Sequence, residues 1–208
     1  MPDDLELTVV NGSALDPAPV AVFAALPVAA PGEAWCVTWL AQAVHPGNAY
    51  TFTWSEDWGF AWQAAGDRQG CRWTAGGFLP ADPDAAAGCA ATLAYDGDFR
   101  LAPAPGRPDG ATLWLREGPT VPPPGEVASS VAVTLAGLPV MAAAAGPNLA
   151  QAFTLAPGYR VALGGYAPGQ PVDPATVATF TPLPFAPASP AITATLAPDN
   201  TWSVTPGA

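Results

Sequence analysis

The sequence predicts an all-β protein, an antiparallel β-sandwich, on three observations. In the stretch from Tyr50 to Trp62, every even position except Glu56 is aromatic. Because successive side chains of a strand point to opposite faces, this alternation indicates strands with one aromatic face. The chain of 208 residues also contains 27 prolines and 21 glycines, which leave few uninterrupted windows long enough for a helix. Finally, short apolar runs recur between turn residues at intervals typical of a sandwich.

The first part of the chain predicts a succession of strands and turns. Residues 5–10 alternate and then meet Asn11-Gly12, a strong turn signal. Two further apolar strands are predicted at 20–28 and 35–44. The remaining predicted strands of this part are 71–74 and a hairpin of 91–95 with 99–101 around Asp96-Gly97-Asp98.

The aromatic stretch itself predicts a β-hairpin. A three-residue loop, Ser55-Glu56-Asp57, would set Trp54 opposite Trp58 on one face. A two-residue loop would instead place the rings of the two strands on opposite faces. The three-residue loop would also pair Phe52 with Phe60 and Tyr50 with Trp62.

A proline-rich segment divides the sequence into two halves. Residues 119–125 contain three consecutive prolines and predict a stiff linker. They separate an N-terminal β half, 1–118, which holds the aromatic hairpin, from a C-terminal β half, 126–208. Residues 141–145 are compatible with strand or loop. The predicted strands of the C-terminal half are 131–135, 152–155, 159–163, 177–181, 192–196 and 201–204.

Short matches between the halves raise the hypothesis of an internal duplication. The longest relates 91–99 to 194–202, which share the pattern Ala-Thr-Leu-Ala followed by an aspartate turn. The halves are either two sandwiches or two sheets of one, and their small size favours one compact unit. The shorter matches relate Leu26-Pro27-Val28 to Leu138-Pro139-Val140, Leu40-Ala41-Gln42-Ala43 to Leu149-Ala150-Gln151-Ala152, and Pro46-Gly47 to Pro157-Gly158.

Composition excludes several classes of protein. Six arginines, no lysine and a formal net charge of −11 disfavour nucleic acid and anionic membrane surfaces as partners. The absence of lysine removes Schiff-base chemistry, a pyridoxal phosphate anchor and a P-loop. No apolar run approaches the ~20 residues of a membrane helix. A soluble protein is therefore expected. The acidic start, Met1 to Glu6, lacks a signal-peptide pattern, so a cytoplasmic location is expected. No cofactor is predicted.

The cysteines and the single histidine do not form a metal or redox motif. Cys36 is predicted to be a buried, inert thiol, and no two cysteines have C-x-x-C spacing. Cys71 and Cys89 are either free or a disulfide pair of an oxidising compartment. His45 lies in a turn, and no serine has the G-x-S-x-G context of a hydrolase.

Aspartate-rich loops offer oxygen atoms that calcium prefers. Asp82-Pro83-Asp84 and Asp96-Gly97-Asp98 are the two segments concerned. Turn aspartates that bond their own backbone explain both segments without a metal, so no metal site is predicted.

Several short turn and strand patterns mark the chain. They are His45-Pro46-Gly47, Phe52-Thr53-Trp54, Trp58-Gly59-Phe60-Ala61-Trp62, Gly165-Tyr166-Ala167-Pro168-Gly169 and Asp199-Asn200-Thr201-Trp202. Together these patterns resemble those of a set of small uncharacterised bacterial and fungal β-sandwich proteins. The resemblance implies a β fold over most of the chain and transfers no function and no site residue.

The aromatic stretch is also the candidate functional surface. Exposed tryptophans on a sheet can stack on sugars or hold an apolar ligand or a partner. The candidate ligand-binding residues are Trp54, Glu56, Asp57, Trp58 and Trp62. If these rings instead fill the core, the small odd-numbered side chains form a flat face that can pack against another sheet or another subunit.

The sequence therefore predicts a non-catalytic binding module for a carbohydrate or another small or apolar ligand. The alternative is a structural protein that self-assembles into a homo-oligomer, which the low content of charged residues permits. A hydrolase that uses two carboxylates is a third hypothesis, because the chain has 17 acidic residues that could converge in space.

Overall fold

The computed structural model describes residues 4–27, 34–64, 72–124, 126–186 and 189–207. Within these ranges the chain forms eighteen strands and one helix of five residues, so the all-β prediction is confirmed. The elements are β1 (Leu5–Asn11), β2 (Ala18–Ala25), β3 (Ala34–Val37), β4 (Leu40–Val44), β5 (Ala49–Trp54), β6 (Trp58–Gln63), β7 (Gly77–Pro80), β8 (Ala90–Tyr95), β9 (Phe99–Pro103), β10 (Thr112–Glu117), β11 (Ser130–Leu135), β12 (Leu138–Ala144), β13 (Ala150–Thr154), β14 (Gly158–Leu163), β15 (Pro171–Val172), α1 (Pro174–Ala178), β16 (Thr181–Pro182), β17 (Ala191–Leu196) and β18 (Trp202–Pro206).

The strands are arranged in four sheets that pack around a common core. Their orders are β18-β17-β1-β5, β13-β10-β8-β9, β15-β3-β12-β11-β6-β7 and β16-β14-β2-β4. Neighbouring strands are antiparallel except for β1 with β17 and β8 with β10, which are parallel. Side chains from all four sheets meet in one large hydrophobic cluster.

Four-strand orders correspond in pairs across the four sheets, and β15 and β3 extend the six-stranded sheet beyond the matched order. The order β18-β17-β1-β5 corresponds to β9-β8-β10-β13, since each has an edge hairpin, then a parallel neighbour, then an antiparallel strand. Likewise β4-β2-β14-β16 corresponds to β12-β11-β6-β7. Each of these correspondences relates a strand of the set β1–β9 to one of the set β10–β18. The chain therefore contains two topological repeats.

The two repeats are interleaved. Every sheet takes strands from both, as when β1 pairs with β17 and β8 pairs with β10. The repeats meet between Pro103 and Thr112, one strand earlier than the predicted linker. Within 119–124, Val121 is buried in the core. Neither repeat can complete a sheet by itself.

The longest of the sequence matches lies on equivalent strands. Residues 91–99 begin in β8 and 194–202 begin in β17, which correspond in the two repeats. The match of Leu40–Ala43 with Leu149–Ala152 relates β4 to β13, which do not correspond. Strand order thus supports the duplicated architecture, whereas the short matches do not follow it.

The predicted aromatic hairpin is wrong in its pairing. Strand β5 pairs with β1, and β6 pairs with β11 and β7 in a different sheet. The Ser55–Asp57 segment therefore carries the chain from one sheet to another. Alternation defines the apolar face of a strand but leaves its partner open. The buried rings of both strands, Phe52, Trp54, Trp58, Phe60 and Trp62, converge on the core from two sheets.

Three other predicted elements differ from the structure. The strand at 35–44 is two strands, β3 and β4, which belong to different sheets. Residues 177–181 begin in helix α1, whose N-terminus is capped by Asp173 through a 2.7 Å bond from the Ala175 N–H. Pro174 is tolerated there because the first helical N–H groups have no partner in the helix. Of the strand predicted at 71–74, the described residues 72–74 are irregular.

The outer face of the six-stranded sheet is covered within the chain. A second cluster contains Trp35 and Trp73, which pack with Ala61 of β6 and its neighbours. The Trp73 indole N–H donates to Ser130 Oγ at 2.9 Å. The small odd-numbered side chains of β6 therefore contact this chain's own aromatics, and the surface on that face is not free.

Candidate functional site

The three tryptophans predicted to bind a ligand lie in the core. Trp54, Trp58 and Trp62 are 4%, 8% and 8% exposed. Trp54 packs against the rings of Trp39 and Tyr159, with centroids 5.0 and 5.4 Å away. These indoles fill the space between sheets, which is the alternative that the sequence left open, and they offer little surface to a ligand.

The two acidic candidates of the same segment have structural contacts. Glu56 Oε1 accepts a 2.8 Å hydrogen bond from the Tyr159 hydroxyl. The side chain of Asp57 accepts a hydrogen bond from Ser55 Oγ, and its backbone carbonyl accepts one from the Ala136 N–H at 2.8 Å. The two side chains thus help to hold the crossover between the sheets.

Cysteine and histidine positions agree with structural roles. Cys36 is buried, as predicted, and burial raises the pKa of its thiol to about 12. Cys89 is a free, buried thiol, whereas Cys71 lies outside the described residues. The exposed His45 lies 2.5 Å from the Asp16 carboxylate. Among the described side chains, no group of three or more histidines, cysteines and acids is placed to hold a metal ion.

A different surface of the protein carries a depression. It lies on the outer side of the sheet β13-β10-β8-β9 and has a volume of about 500 Å³. Four side chains line it: Arg107, Asp109, Trp114 and Arg116. It combines an aromatic ring, two guanidinium groups and one carboxylate on a surface open to solvent.

Strand β10 presents two of these side chains by simple alternation. Leu113 and Leu115 are fully buried, and the intervening Trp114 and the following Arg116 point outward. Trp114 is 37% exposed, in contrast to the buried indoles of β5 and β6. The strand therefore anchors the site through its leucines while its indole stays accessible.

The segment between β9 and β10 supplies the other two side chains and is held against the loop before β8. The Gly106 N–H donates to the Ala86 carbonyl at 3.0 Å, and the Gly110 N–H donates to the Pro83 carbonyl at 3.3 Å. A Cβ at residue 106 would lie 2.4 Å from Cys89 Sγ, so only glycine permits this approach. The packing fixes the position of the loop beside β10.

The carboxylate of Asp109 is engaged with its own backbone. Its Oδ1 accepts hydrogen bonds from the N–H groups of Ala111 at 2.9 Å and Thr112 at 2.7 Å. The bond from Ala111 is the main cause of a lowered pKa for Asp109, because donors stabilise the charged form. Asp109 thus shapes the turn into β10 and keeps its charge there.

The two arginines are less engaged. Arg116 Nη1 donates to the Pro105 carbonyl at 3.2 Å, which uses one of the five N–H donors of the guanidinium. Arg107 forms no hydrogen bond or ion pair with any residue in the described part of the chain. Donors for a bound molecule are therefore present on both the loop and strand β10.

Glu117, the next residue of β10, faces the interior. It is 3% exposed, and its Oε2 accepts a 2.6 Å hydrogen bond from the Gly146 N–H. Desolvation raises the pKa of its carboxyl to about 7, against the opposing effect of the bond from Gly146. This group lies on the core side of the strand, apart from the open depression.

Sequence reasoning missed this site because it missed β10. The signal is nonetheless present in Thr112 to Glu117, where two leucines alternate with a tryptophan and an arginine. A tryptophan in phase with the polar side chains of an alternating strand predicts an exposed ring. A count of hydrophobic residues does not reveal this exposure, because Trp114 lies between two leucines.

Fold and surface together define a class, an all-β sandwich protein with an open aromatic and basic depression on one sheet. The model of the RhiA family matches residues 2–207, and the chain belongs to that family. No match was found among curated proteins or among solved structures. In the described ranges, no helix is long and apolar enough to cross a membrane.

Proposed function

We propose that the protein is a non-catalytic binding module that takes a saccharide on the outer face of the sheet β13-β10-β8-β9. The observation that carries the proposal is the outward-facing indole of Trp114 in a depression with polar side chains. The sequence resemblance to bacterial and fungal β proteins assigns no site, so the proposal depends on this surface.

The topological repeat provides an internal comparison for Trp114. Strands β1 and β10 correspond, and the residues that follow them, Gly12 and Gly118, donate equivalent bonds to Leu196 at 2.9 Å and Leu93 at 2.8 Å. Counting back from these glycines, Trp114 corresponds to Thr8. A small polar side chain satisfies the fold at that position in one sheet, so the fold does not require an indole in the other.

The surroundings of Trp114 suit a stacking platform. Its direct neighbours across the sheet are Ala152 and Ala90, whose methyl groups are too short to cover an indole. Aromatic rings provide an apolar face with little loss of side-chain entropy on binding. Arginine and aspartate beside the ring supply the few polar contacts that orient a ligand. A sugar, with an apolar face and a polar edge, matches both features.

The same depression disfavours hydrolysis. Most glycoside hydrolases use two carboxyl groups on either side of the scissile bond. Of the described residues that line the depression, Asp109 is the one with a carboxylate, and it is bonded to backbone N–H groups. Binding without turnover is therefore the function that this geometry supports best.

The test is a glycan array followed by titration calorimetry on the wild-type protein and on Trp114→Ala. We expect saccharide binding by the wild type and its loss in the variant, with the fold retained by circular dichroism. Tyr50→Ala is the matched control, since Tyr50 is an aromatic of similar exposure, 41%, on another sheet. Unchanged affinity in Trp114→Ala, or no saccharide bound by the wild type, would overturn the proposal.

Self-association through a sheet surface is the second candidate function. On the outer face of β18-β17-β1-β5, one row across the sheet consists of threonines from all four strands. A flat, uncharged row of this kind permits close contact with a second copy. Sedimentation velocity over a hundred-fold range of concentration tests this, and a constant monomer would reject it. The row is Thr51, Thr8, Thr193 and Thr205.

A further inference from the structure

Building on the proposed function, we infer that the saccharide is anionic and carries oxyanion groups, carboxylate or sulfate, that Arg107 and Arg116 bind. The ring of Trp114 provides the stacking surface, and the two guanidinium groups select for charge. Planar guanidinium groups pair with oxyanions through two parallel hydrogen bonds, which gives both affinity and orientation.

The charge of the depression is opposite to that of the protein. The chain has 17 acidic residues against six arginines and a formal net charge of −11. Two of those arginines line this one depression with a single carboxylate, and a third, Arg100, lies on the same sheet in β9. Concentrating scarce positive charge at one open site is a signature of an anionic ligand.

These guanidinium groups are not neutralised inside the protein. Throughout the described residues, the ion pair formed is that of His45 with Asp16, and neither residue lines the depression. Asp109 lines the depression but directs Oδ1 to the backbone of Ala111 and Thr112. Arg107 and Arg116 therefore keep their charge available.

The comparison of β1 with β10 applies to the charge of Arg116 as well as to the ring of Trp114. By the same correspondence of β1 with β10, Arg116 takes the place of Val10 in the other repeat. The fold accepts an uncharged side chain there, so packing does not explain the arginine. Both outward side chains that distinguish β10 from β1 therefore contribute to the depression.

The experiment compares three probes by calorimetry: a neutral cello-oligosaccharide, an oligogalacturonate and a sulfated oligosaccharide. We expect tighter binding of at least one anionic probe than of the neutral one, with an affinity that falls as salt rises. Arg107→Gln and Arg116→Gln should each weaken the anionic probe about ten-fold, the effect of losing one charged hydrogen bond. Their effect on neutral probes should be small, and Trp114→Ala should weaken all probes.

The matched control is Arg72→Gln, which changes the net charge equally at an exposed position on another part of the chain. Carboxylate and sulfate are distinguished by which anionic probe the arginine variants lose. Equal or tighter binding of the neutral probe would overturn the inference and leave the proposed function standing. Loss of anionic binding in Arg72→Gln alone would also overturn it. Failure of the wild type to bind any of the probes or array glycans would instead refute the proposed function.

Discussion

At the scale of single residues, two buried polar side chains occupy equivalent positions in the two repeats. Asn11 ends β1 and Glu117 ends β10, and both are buried. Asn11 is neutral, and both N–H groups of its amide form hydrogen bonds. Its Nδ2 donates to the carbonyls of Leu15 at 2.9 Å and Val44 at 2.8 Å. Glu117 occupies the equivalent place with a group that ionises. A buried carboxylate is costly, and its neutral form is preferred in the folded protein.

Stability should therefore depend on pH through Glu117. The pKa of its carboxyl is about 7 in the folded protein against 4.5 for the ordinary group, so the folded state binds more protons between these values. The free energy of unfolding is expected to fall as pH rises from about 4.5 through 7, by at most about 3 kcal/mol in all, and to level off once the carboxyl is fully ionised in the folded protein.

Glu117→Gln should remove this dependence and stabilise the protein at pH 8. Urea unfolding at pH 5 and pH 8 measures the difference between wild type and variant, and the exposed Glu126→Gln serves as the control. An identical pH dependence in Glu117→Gln and the wild type would contradict the assignment.

Two tryptophans in alternating strands should differ sharply in their effect on stability. Trp54→Ala leaves a cavity between rings and is expected to cost about 3–5 kcal/mol. Trp114→Ala removes a ring that is 37% exposed and should cost less than about 1 kcal/mol. Denaturant midpoints of the two variants provide the comparison. A similar loss in both would mean that Trp114 is a packing residue rather than a surface one.

At the scale of elements, the β11–β12 hairpin has a turn whose residue types do not match its backbone. Leu135 pairs with Leu138, which leaves a two-residue loop with φ of 49° at Ala136 and 76° at Gly137. Turns with two positive φ values favour Asn-Gly, because asparagine tolerates the left-handed region better than alanine. The hairpin nevertheless forms, since both of its strands are held in the six-stranded sheet.

Ala136→Asn should raise the free energy of unfolding by about 0.5–1 kcal/mol. Its N–H bond to the Asp57 carbonyl involves only the backbone and is kept in the variant. Gly137→Ala is the opposing control and should destabilise, because it puts a Cβ on a residue with φ of 76°. Thermal denaturation of the three proteins checks the order, and a lower midpoint for Ala136→Asn would refute the interpretation of the turn.

At the scale of the whole molecule, interleaving makes the two repeats one folding unit. Each four-stranded sheet consists of two strands from each repeat. A two-stranded ribbon is marginal in water, so a sheet gains stability only when both repeats are present. The connection between β9 and β10 also carries Arg107 and Asp109, which places the depression at the junction of the repeats.

Fragments 1–107 and 108–208 should therefore be unfolded separately and should fold when mixed. Circular dichroism and proton–nitrogen NMR spectra of each fragment and of the equimolar mixture measure this. The uncleaved chain is the reference for the mixture. A fragment that alone gives dispersed resonances and a cooperative thermal transition would show that one repeat is independent.

The sequence by itself determined which face of each strand is apolar and where many strands lie. Alternation identified the aromatic face of β5 and β6, and the Asp96-Gly97-Asp98 turn identified the β8–β9 hairpin, because both signals involve residues close together in the chain. The buried position of Cys36 follows from the same local pattern.

Only the tertiary structure decided which strands pair and which aromatic rings reach the surface. Strand partners such as β1 and β17 are far apart in the chain, and edge backbone groups accept any partner of suitable register. Trp54 and Trp114 both lie in alternating strands, yet one indole fills the space between sheets and the other faces solvent. What separates them is the phase of each ring relative to the assembled core, which depends on all four sheets at once.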